Sequence, residues 1–287
     1  DGMFDLVVNG GGVLVVQYTR TGYLPAQRHL DVPWQDYAWL PDVMLKQRDA
    51  QVTPVSFGAS APLQVARGSL ISDSDGTRQA TVLFPAGTQA QVHLPDGSTQ
   101  SVDTLNIRAT EYTVGPNGPQ AMPADLPPTS GYTYAVELSA DEAVVKRNGK
   151  DILFNQPVVL YLENFLDLPV GIIVPVGYYD ADQGAWVPSD DGRIIQILSI
   201  ANGLAVLDLD GNGTPADAAR LAEFGITDAE RARLAALYAP GQSLWRSQIS
   251  HFSTWDCNLG WGPPPPPPEP VPRSNRQQRR SPWASPA

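Results

Sequence analysis

Hydrophobic positions along this chain come in short bursts, and many of them alternate with polar ones. Tyr132, Tyr134, Val136 and Leu138 interleave with Thr133, Ala135 and Glu137, a period of two that predicts a strand buried on one face. The β-branched and aromatic stretches Phe4–Val8, Val13–Tyr18, Thr81–Phe84, Gln91–Leu94, Val158–Leu162, Ile173–Tyr179 and Ile194–Ile200 predict further strands. Turn-forming pairs punctuate them: Asn9-Gly10, Asp75-Gly76, Asp96-Gly97, Asn117-Gly118, Asn148-Gly149, Gln183-Gly184 and Asp191-Gly192. Such pairs supply the positive φ values of tight hairpins. Up to about residue 200 the chain therefore reads as all-β, most simply as sandwiches. One small helix, Ala143–Lys146, is expected after the capping box Ser139–Glu142.

The pattern changes after Leu207. Asp208, Asp210, Asn212 and two glycines lead into a predicted helix, Pro215–Phe224, with Thr214 as N-cap. Gly225 ends it, and the capping box Thr227–Glu230 opens a second helix, Ala229–Tyr238. Leu221, Phe224, Leu234 and Leu237 are the apolar positions of the helix pair, and a closing strand is expected at Ser243–Phe252. The fold class predicted is mainly β, with a small C-terminal helix pair and a disordered Pro-rich tail from residue 259 to 287.

Composition narrows the function classes. The 28 Pro and 25 Gly among 287 residues suit many short strands joined by tight turns. Of 19 basic residues, four (Arg273, Arg276, Arg279, Arg280) follow Gly262, as does one of the 30 acidic ones, Glu269. The rest of the chain thus carries 15 basic and 29 acidic residues, a net of −14, which repels phosphate backbones and excludes a nucleic-acid partner. A lone cysteine, Cys257, permits no intrachain disulfide. No apolar run of about 18 residues occurs, so membrane insertion is not expected. Asp1-Gly2 is a turn signal with no strand ahead of it, which suggests a chain that begins inside a fold.

Candidate chemistry is sparse. Asp208, Asp210 and Asn212 match the front half of an EF-hand-type loop, and Asp217 or Glu223 is the candidate closing carboxylate, since Ala219 stands at the twelfth position. A structural calcium and an Asx-turn with helix cap explain the pattern about equally. Asn9-Gly10-Gly11-Gly12 precedes a predicted strand rather than a helix, so it reads as a turn and not a phosphate loop. His29, His93 and His251 stand apart in sequence; His251 lies near Cys257, without the makings of a zinc site or nucleophilic pair. Asp73/Asp75 and Asp141/Glu142 sit in turn or cap contexts. The aromatic cluster Trp34, Tyr37 and Trp39 fits an interface, or alternatively a sugar-stacking patch. Nothing here points to an enzyme.

The motifs Asp1–Val7, Asn9-Gly10-Gly11 and Pro33-Trp34 resemble the segment ahead of the YD-repeat shell in teneurins and their bacterial relatives, the Rhs/YD-repeat proteins. That resemblance makes residues 1–47 the end of a transthyretin-related (carboxypeptidase-regulatory-like) β-sandwich. Segments such as 66–90, 108–143 and 175–194 look like Rhs-type proteins, and the stretch from Asp75 to Val187 is similar in pattern to the β-sandwich of ankyrins and netrin receptors. Residues 48–200 are then a pre-shell, plug-like sandwich, and 201–258 hold the Asp-rich loop, helix pair and closing strand. The resemblance implies a non-catalytic part of a large secreted or surface-displayed bacterial protein whose shell often encloses a toxin. Its expected partner is the YD-repeat shell of the same protein or locus, docked through Trp34, Tyr37, Trp39, Tyr178, Tyr179 and Trp186. The alternative is a surface adhesion or carbohydrate-binding module, calcium-stabilised through Asp208, Asp210, Asn212 and Asp217. No YD repeats follow the prolines.

Overall fold

Short β-branched runs bounded by turn pairs fold here into two facing sheets and two separate hairpins, the N-terminal one laid on the smaller sheet. The computed structural model describes residues 3–112, 118–126, 131, 133–143, 150–257 and 259. In chain order the strands are β1 (Gly12–Tyr18), β2 (Ala26–Val32), β3 (Thr53–Ser56), β4 (Gln64–Arg67), β5 (Ile71–Asp73), β6 (Gly76–Arg78), β7 (Thr81–Phe84), β8 (Ala90–His93), β9 (Thr99–Val102) and β10 (Thr104–Glu111). A helical turn, α1 (Gly118–Ala121), precedes β11 (Ala135–Ala140), β12 (Ile152–Glu163), β13 (Ile173–Val174), β14 (Gly177–Asp180), β15 (Ala185–Pro188), β16 (Gly192–Ala201) and β17 (Leu204–Asp208). Helices α2 (Ala218–Glu223) and α3 (Asp228–Leu237) follow, then β18 (Ser243–Phe252) and β19 (Thr254–Asp256).

One sheet runs β15-β14-β19-β11-β10-β3, and the larger runs β13-β16-β18-β12-β7-β4 with β8, β9 and β17 appended. Their inner faces form one core. Leu105, Ile107, Val136, Leu138 and Trp255 meet Val82, Phe84, Val158, Leu160, Trp245, Ile249 and Phe252, as a sandwich requires. Phe84, Phe154 and Phe252 pack edge-to-face, with ring centroids 5.0 to 6.1 Å apart.

The larger sheet is apolar on its far face too, where Leu83, Val159, Tyr161, Ile195, Ile197 and Leu244 pack against Leu221, Ile226, Leu234 and Tyr238 of the helical layer. Three polar groups are buried between these layers. Tyr161 donates its hydroxyl to Glu230, and Arg246 Nε reaches Glu230 Oε1 at 2.8 Å and the Tyr161 hydroxyl at 3.1 Å. Burial and the Glu230 carboxylate push the Tyr161 hydroxyl well above its ordinary range, so it stays a donor.

Several expectations change. Phe4–Val8 forms no ladder, because no strand lies alongside it. Ile173–Tyr179 breaks at Pro175, which cannot donate a ladder bond, and its halves β13 and β14 enter opposite sheets. β11 is buried on both faces rather than one. Gly192 is required by packing and not by a turn, since a Cβ there would lie 2.3 Å from Ser247 Oγ. A further Asn-Gly turn, Asn202 and Gly203 with φ of 53° and 76°, joins β16 to β17. Ser139–Glu142 is no capping box: Ser139 lies in β11, Asp141 pairs with Arg108 at 2.6 Å, and Glu142 accepts from Asn106. The N-cap of α2 is Asp217, accepting from the Arg220 N–H at 2.8 Å, and not Thr214. β18 hydrogen-bonds to both β12 and β16, which places the closing strand Ser243–Phe252 inside the larger sheet. Tyr132, Asn117, 144–149 and the tail beyond 259 lie outside the described residues.

Glu230→Ala leaves Arg246 buried without its counter-charge and is expected to cost about 3–5 kcal/mol in chemical denaturation. Replacing Glu230 and Arg246 together with Met is expected to cost less than either single change. A loss within experimental error for Glu230→Ala would refute the role given to this pair.

Candidate interaction surface

The hairpin β1–β2 lies on the outer face of the smaller sheet. Alternation along β2 turns Ala26, Arg28 and Val32 inward, all buried. Leu24 packs with Tyr112, Met122 and Ala135. Backbone bonds tie the segment to residues 118–126: Gln27 N donates to Pro123 O at 2.6 Å and Met44 N to Gln120 O at 2.9 Å. Arg28, 1% exposed, donates to the carbonyls of Gln120 and Met122 at 3.0 and 3.1 Å and lies 3.7 Å from Asp125. Burial lowers the Arg28 pKa, and the charge of Asp125 opposes that fall. Between hairpin and sheet lies a cavity of about 40 Å³, lined by Gln17, Gln27, Tyr112, Glu137, Tyr179 and Thr254. It is large enough for a water and too small for a substrate.

The outward side of the same segment is apolar. Met3, Phe4, Leu6, Val7, Val8, Val13 and Val15 are exposed, as are Trp34, Tyr37, Trp39 and Met44. The Gly-rich turn supports this strip. A Cβ at Gly10 would lie 2.6 Å from the Pro33 carbonyl oxygen, and one at Gly11 (φ 93°) would lie 3.4 Å from the Trp34 ring. The glycines therefore serve close approach and not phosphate binding.

The other three predicted interface aromatics are used inside the chain. Tyr179 is buried and donates to Gln27 Oε1 at 2.6 Å. Trp186 is half-buried, tilted against Tyr179, and its Nε1 donates to Asp125 O at 3.1 Å. Tyr178 is half-buried against the rings of His251 and Trp255. These three residues hold the hairpin and the core in place and offer little surface to a partner. Sequence alone missed this because an aromatic on an edge strand reads the same whether a hairpin covers it or not.

The Asp-rich loop commits its oxygens internally. Asp208 is buried, and its two oxygens accept from the N–H groups of Asp210, Gly211 and Gly213 at 2.8 to 3.0 Å. Asp210 pairs with Arg220 at 2.5 Å, which holds its carboxyl below the usual range. Asn212 Oδ1 accepts from Thr214 N and Oγ1, and Asp217 caps α2. Among the described residues no group of three His, Cys, Asp or Glu could hold a metal ion.

His251, Asp256 and Cys257 are all buried but form no nucleophilic set. Burial and the Asp256 charge push the Cys257 thiol up, away from thiolate chemistry. Burial, and then Lys150, lower the His251 pKa to about 4. Asp256 Oδ1 has no hydrogen-bond partner among the described residues, and burial raises the carboxyl pKa to about 8.

Two outcomes follow. Melting curves with and without a calcium chelator are expected to coincide, whereas Asp208→Ala should cost about 2 kcal/mol by removing the acceptor of three backbone N–H groups that hold the loop. A chelator-dependent fall in Tm would overturn this. For Asp256, the folded pKa of about 8 exceeds the ordinary 3.8, so its contribution is full below pH 3.8 and is lost as pH rises to about 8. For His251, the folded pKa of about 4 is below 6.5, so its contribution is present above pH 6.5 and is lost as pH falls to about 4. The two slopes oppose each other at acid pH, and Asp256 acts alone above pH 6.5. Asp256→Asn is therefore expected to remove a decline of about 2 kcal/mol between pH 6.5 and 8. Parallel stability–pH curves for the two chains would contradict that assignment.

The exposed strip coincides with the part of the chain that has known relatives. The family model of the Teneurin TTR-like domain matches residues 1–45. No curated protein and no solved structure matches the chain. The match supports a teneurin-like relationship over residues 1–45, which hold the hairpin, the Gly-rich turn and the aromatic strip.

Proposed function

We propose that this chain is a non-catalytic structural module of a secreted or surface-displayed bacterial Rhs/teneurin-like YD-repeat protein, and that its hairpin docks against the toxin-enclosing YD shell. One observation carries the reading. Among the described residues, 11 of the 15 exposed large hydrophobics lie between Met3 and Met44, within the Teneurin TTR-like match. Soluble surfaces rarely keep so concentrated an apolar patch without a partner. β1 also pairs with β2 alone among the described strands, so its second edge offers backbone donors and acceptors to an added strand.

The energetics suit docking. Apolar burial contributes about 25 cal/mol per Å², and a stable interface must remove roughly 1,000 Å² or more in total to offset ordering costs. Val13 and Val15, on the exposed face of β1, are placed to contribute. The buried, chemically quiet His251 and Cys257 support a scaffold rather than a catalyst.

The test is co-purification of the full chain with a YD-repeat shell from the same locus. Val13→Asp with Val15→Asp is expected to weaken the complex roughly tenfold or more per valine while leaving the melting temperature unchanged. A wild-type chain that stays monomeric and does not retain the shell would defeat the reading.

A further inference from the structure

We propose that the strip Trp34, Tyr37 and Trp39 binds a proline-rich, arginine-bearing segment, and that its occupant is the chain's own C-terminal stretch, Pro263–Ala287. This goes beyond docking to a shell and does not depend on it; a shell that used the same three rings would have to displace the segment from them. The three rings are 70%, 90% and 80% exposed, the most accessible aromatics among the described residues. They are bracketed by Pro33 and Pro41 and accompanied by Asp31, Asp36 and Asp42, with no Lys or Arg between Leu30 and Lys46. All three carboxylates are exposed, and none forms an ion pair among the described residues. An acidic surface with three accessible rings has a definite chemical complement. Proline rings lie flat on aromatic faces, and a polyproline helix is preformed. Arginine both stacks on aromatics and pairs with carboxylates.

The chain carries that complement. Pro263–Pro268, Pro270 and Pro272 are followed by Arg273, Arg276, Arg279 and Arg280, against a single acid, Glu269. The place where the described chain ends is favourable as well. Leu259 accepts from Gly131 N at 3.1 Å and donates to Thr133 Oγ1 at 3.3 Å. Those residues lead into Ala135, which packs with Leu24 and Met122 beneath the hairpin. A segment as long as Pro263–Ala287 would reach roughly 80 Å if extended as a polyproline helix at about 3.1 Å per residue, several times the radius of gyration of about 19 Å expected for a body this size. Tethering to the same chain gives an effective concentration of order 1 mM. Even a Kd of about 100 μM would then leave the site roughly 90% occupied. A sugar would use the rings but leaves the match of acid to base without a role.

The four arginines make the proposal testable by trypsin under native conditions on the full chain, with cleavage sites read by mass spectrometry. Cleavage after Arg273, Arg276, Arg279 and Arg280 is expected to be roughly tenfold slower in the wild type than in Trp34→Ala/Trp39→Ala. Asp31→Asn/Asp36→Asn/Asp42→Asn alters only exposed carboxylates without an ion pair among the described residues, Asp36→Asn keeping a side-chain oxygen for the bond Asp36 accepts from the Tyr37 N–H, and is expected to speed the same cleavages; it carries the test by itself if the tryptophan variant misfolds. Equal rates in all chains would overturn the proposal. Protection that grows with protein concentration would overturn the same-chain occupant in favour of a second copy. Glycan-array binding lost on Trp39→Ala, with tail cleavage unaltered, would overturn it in favour of a sugar.

Discussion

Arg246 sits in the middle of the larger sheet, 5% exposed, on a strand whose neighbouring residues Leu244 and Trp245 are buried on opposite faces. A guanidinium there is tolerable only if a carboxylate meets it, because an unpaired buried charge costs several kcal/mol. Glu230 of α3 is that carboxylate, and Tyr161 of β12 completes the set. The pair ties a helix to two adjacent strands at one point. Buried pairs of this kind add little net stability over an apolar filling. What this one does is exclude other arrangements: a helix layer shifted by a turn would abandon Arg246. The sandwich and the helix pair are in consequence one cooperative unit.

The same device recurs where other layers join. Arg78, 1% exposed, holds the β5–β6 hairpin to the sheet by bonds to Asp73 at 2.9 Å and to Glu111 Oε1 at 2.5 Å. Burial opposes its charge, and these two carboxylates outweigh that penalty. Arg78 in turn draws the Asp73 carboxyl down to about 2. Arg28 joins the N-terminal hairpin to residues 120–125 through carbonyls, with Asp125 its one nearby counter-charge among the described residues. The hairpin contact is thus the most weakly neutralised of the three, and the apolar cluster beneath it, around Leu24 and Met122, is the smallest. A layer held this way adjusts more readily than the sandwich does.

Much of the fold is legible in the sequence, because its signals are local. Alternation and turn chemistry predict β1, β7 and β16 nearly to the residue, and Thr227 caps α3 as its pattern indicates. What sequence could not supply is the use of a residue by a distant partner. Glu230 fits a capping box, yet its side chain is taken by Arg246 and Tyr161. Asp208 and Asp210 fit a calcium loop, yet the spacing is equally that of a carboxylate satisfying three backbone N–H groups beside an Arg220 pair. Tyr179 looks like surface until Gln27, some 152 residues away in sequence, covers it. The aromatic strip was legible for the opposite reason: nothing in the described chain covers Trp34, Tyr37 or Trp39, so their exposure matches their sequence character.

The layers can be ranked by how each of their faces is closed. The smaller sheet is closed inside by the shared core and outside by the hairpin; the larger sheet is closed inside by that core and outside by α2 and α3. The outer contacts, at the hairpin and at the helices, combine apolar burial with a buried arginine, Arg28 and Arg246, whereas the contact between the sheets is apolar. The outward face of the hairpin has neither: Val13 and Val15 are 71% and 47% exposed, and β1 has an unpaired edge among the described strands. A two-stranded ribbon is marginal in water by itself, and an exposed flat edge invites pairing with another strand. The hairpin is stable here because its inner side is anchored, while its outer side keeps both features that a further layer would use. Selection for solubility alone would spread charge across that face, whereas Asp31 stands opposite an exposed Val13 and Val15 stays apolar beside them. Its apolar character is therefore the strongest physical argument for the docking role proposed for it.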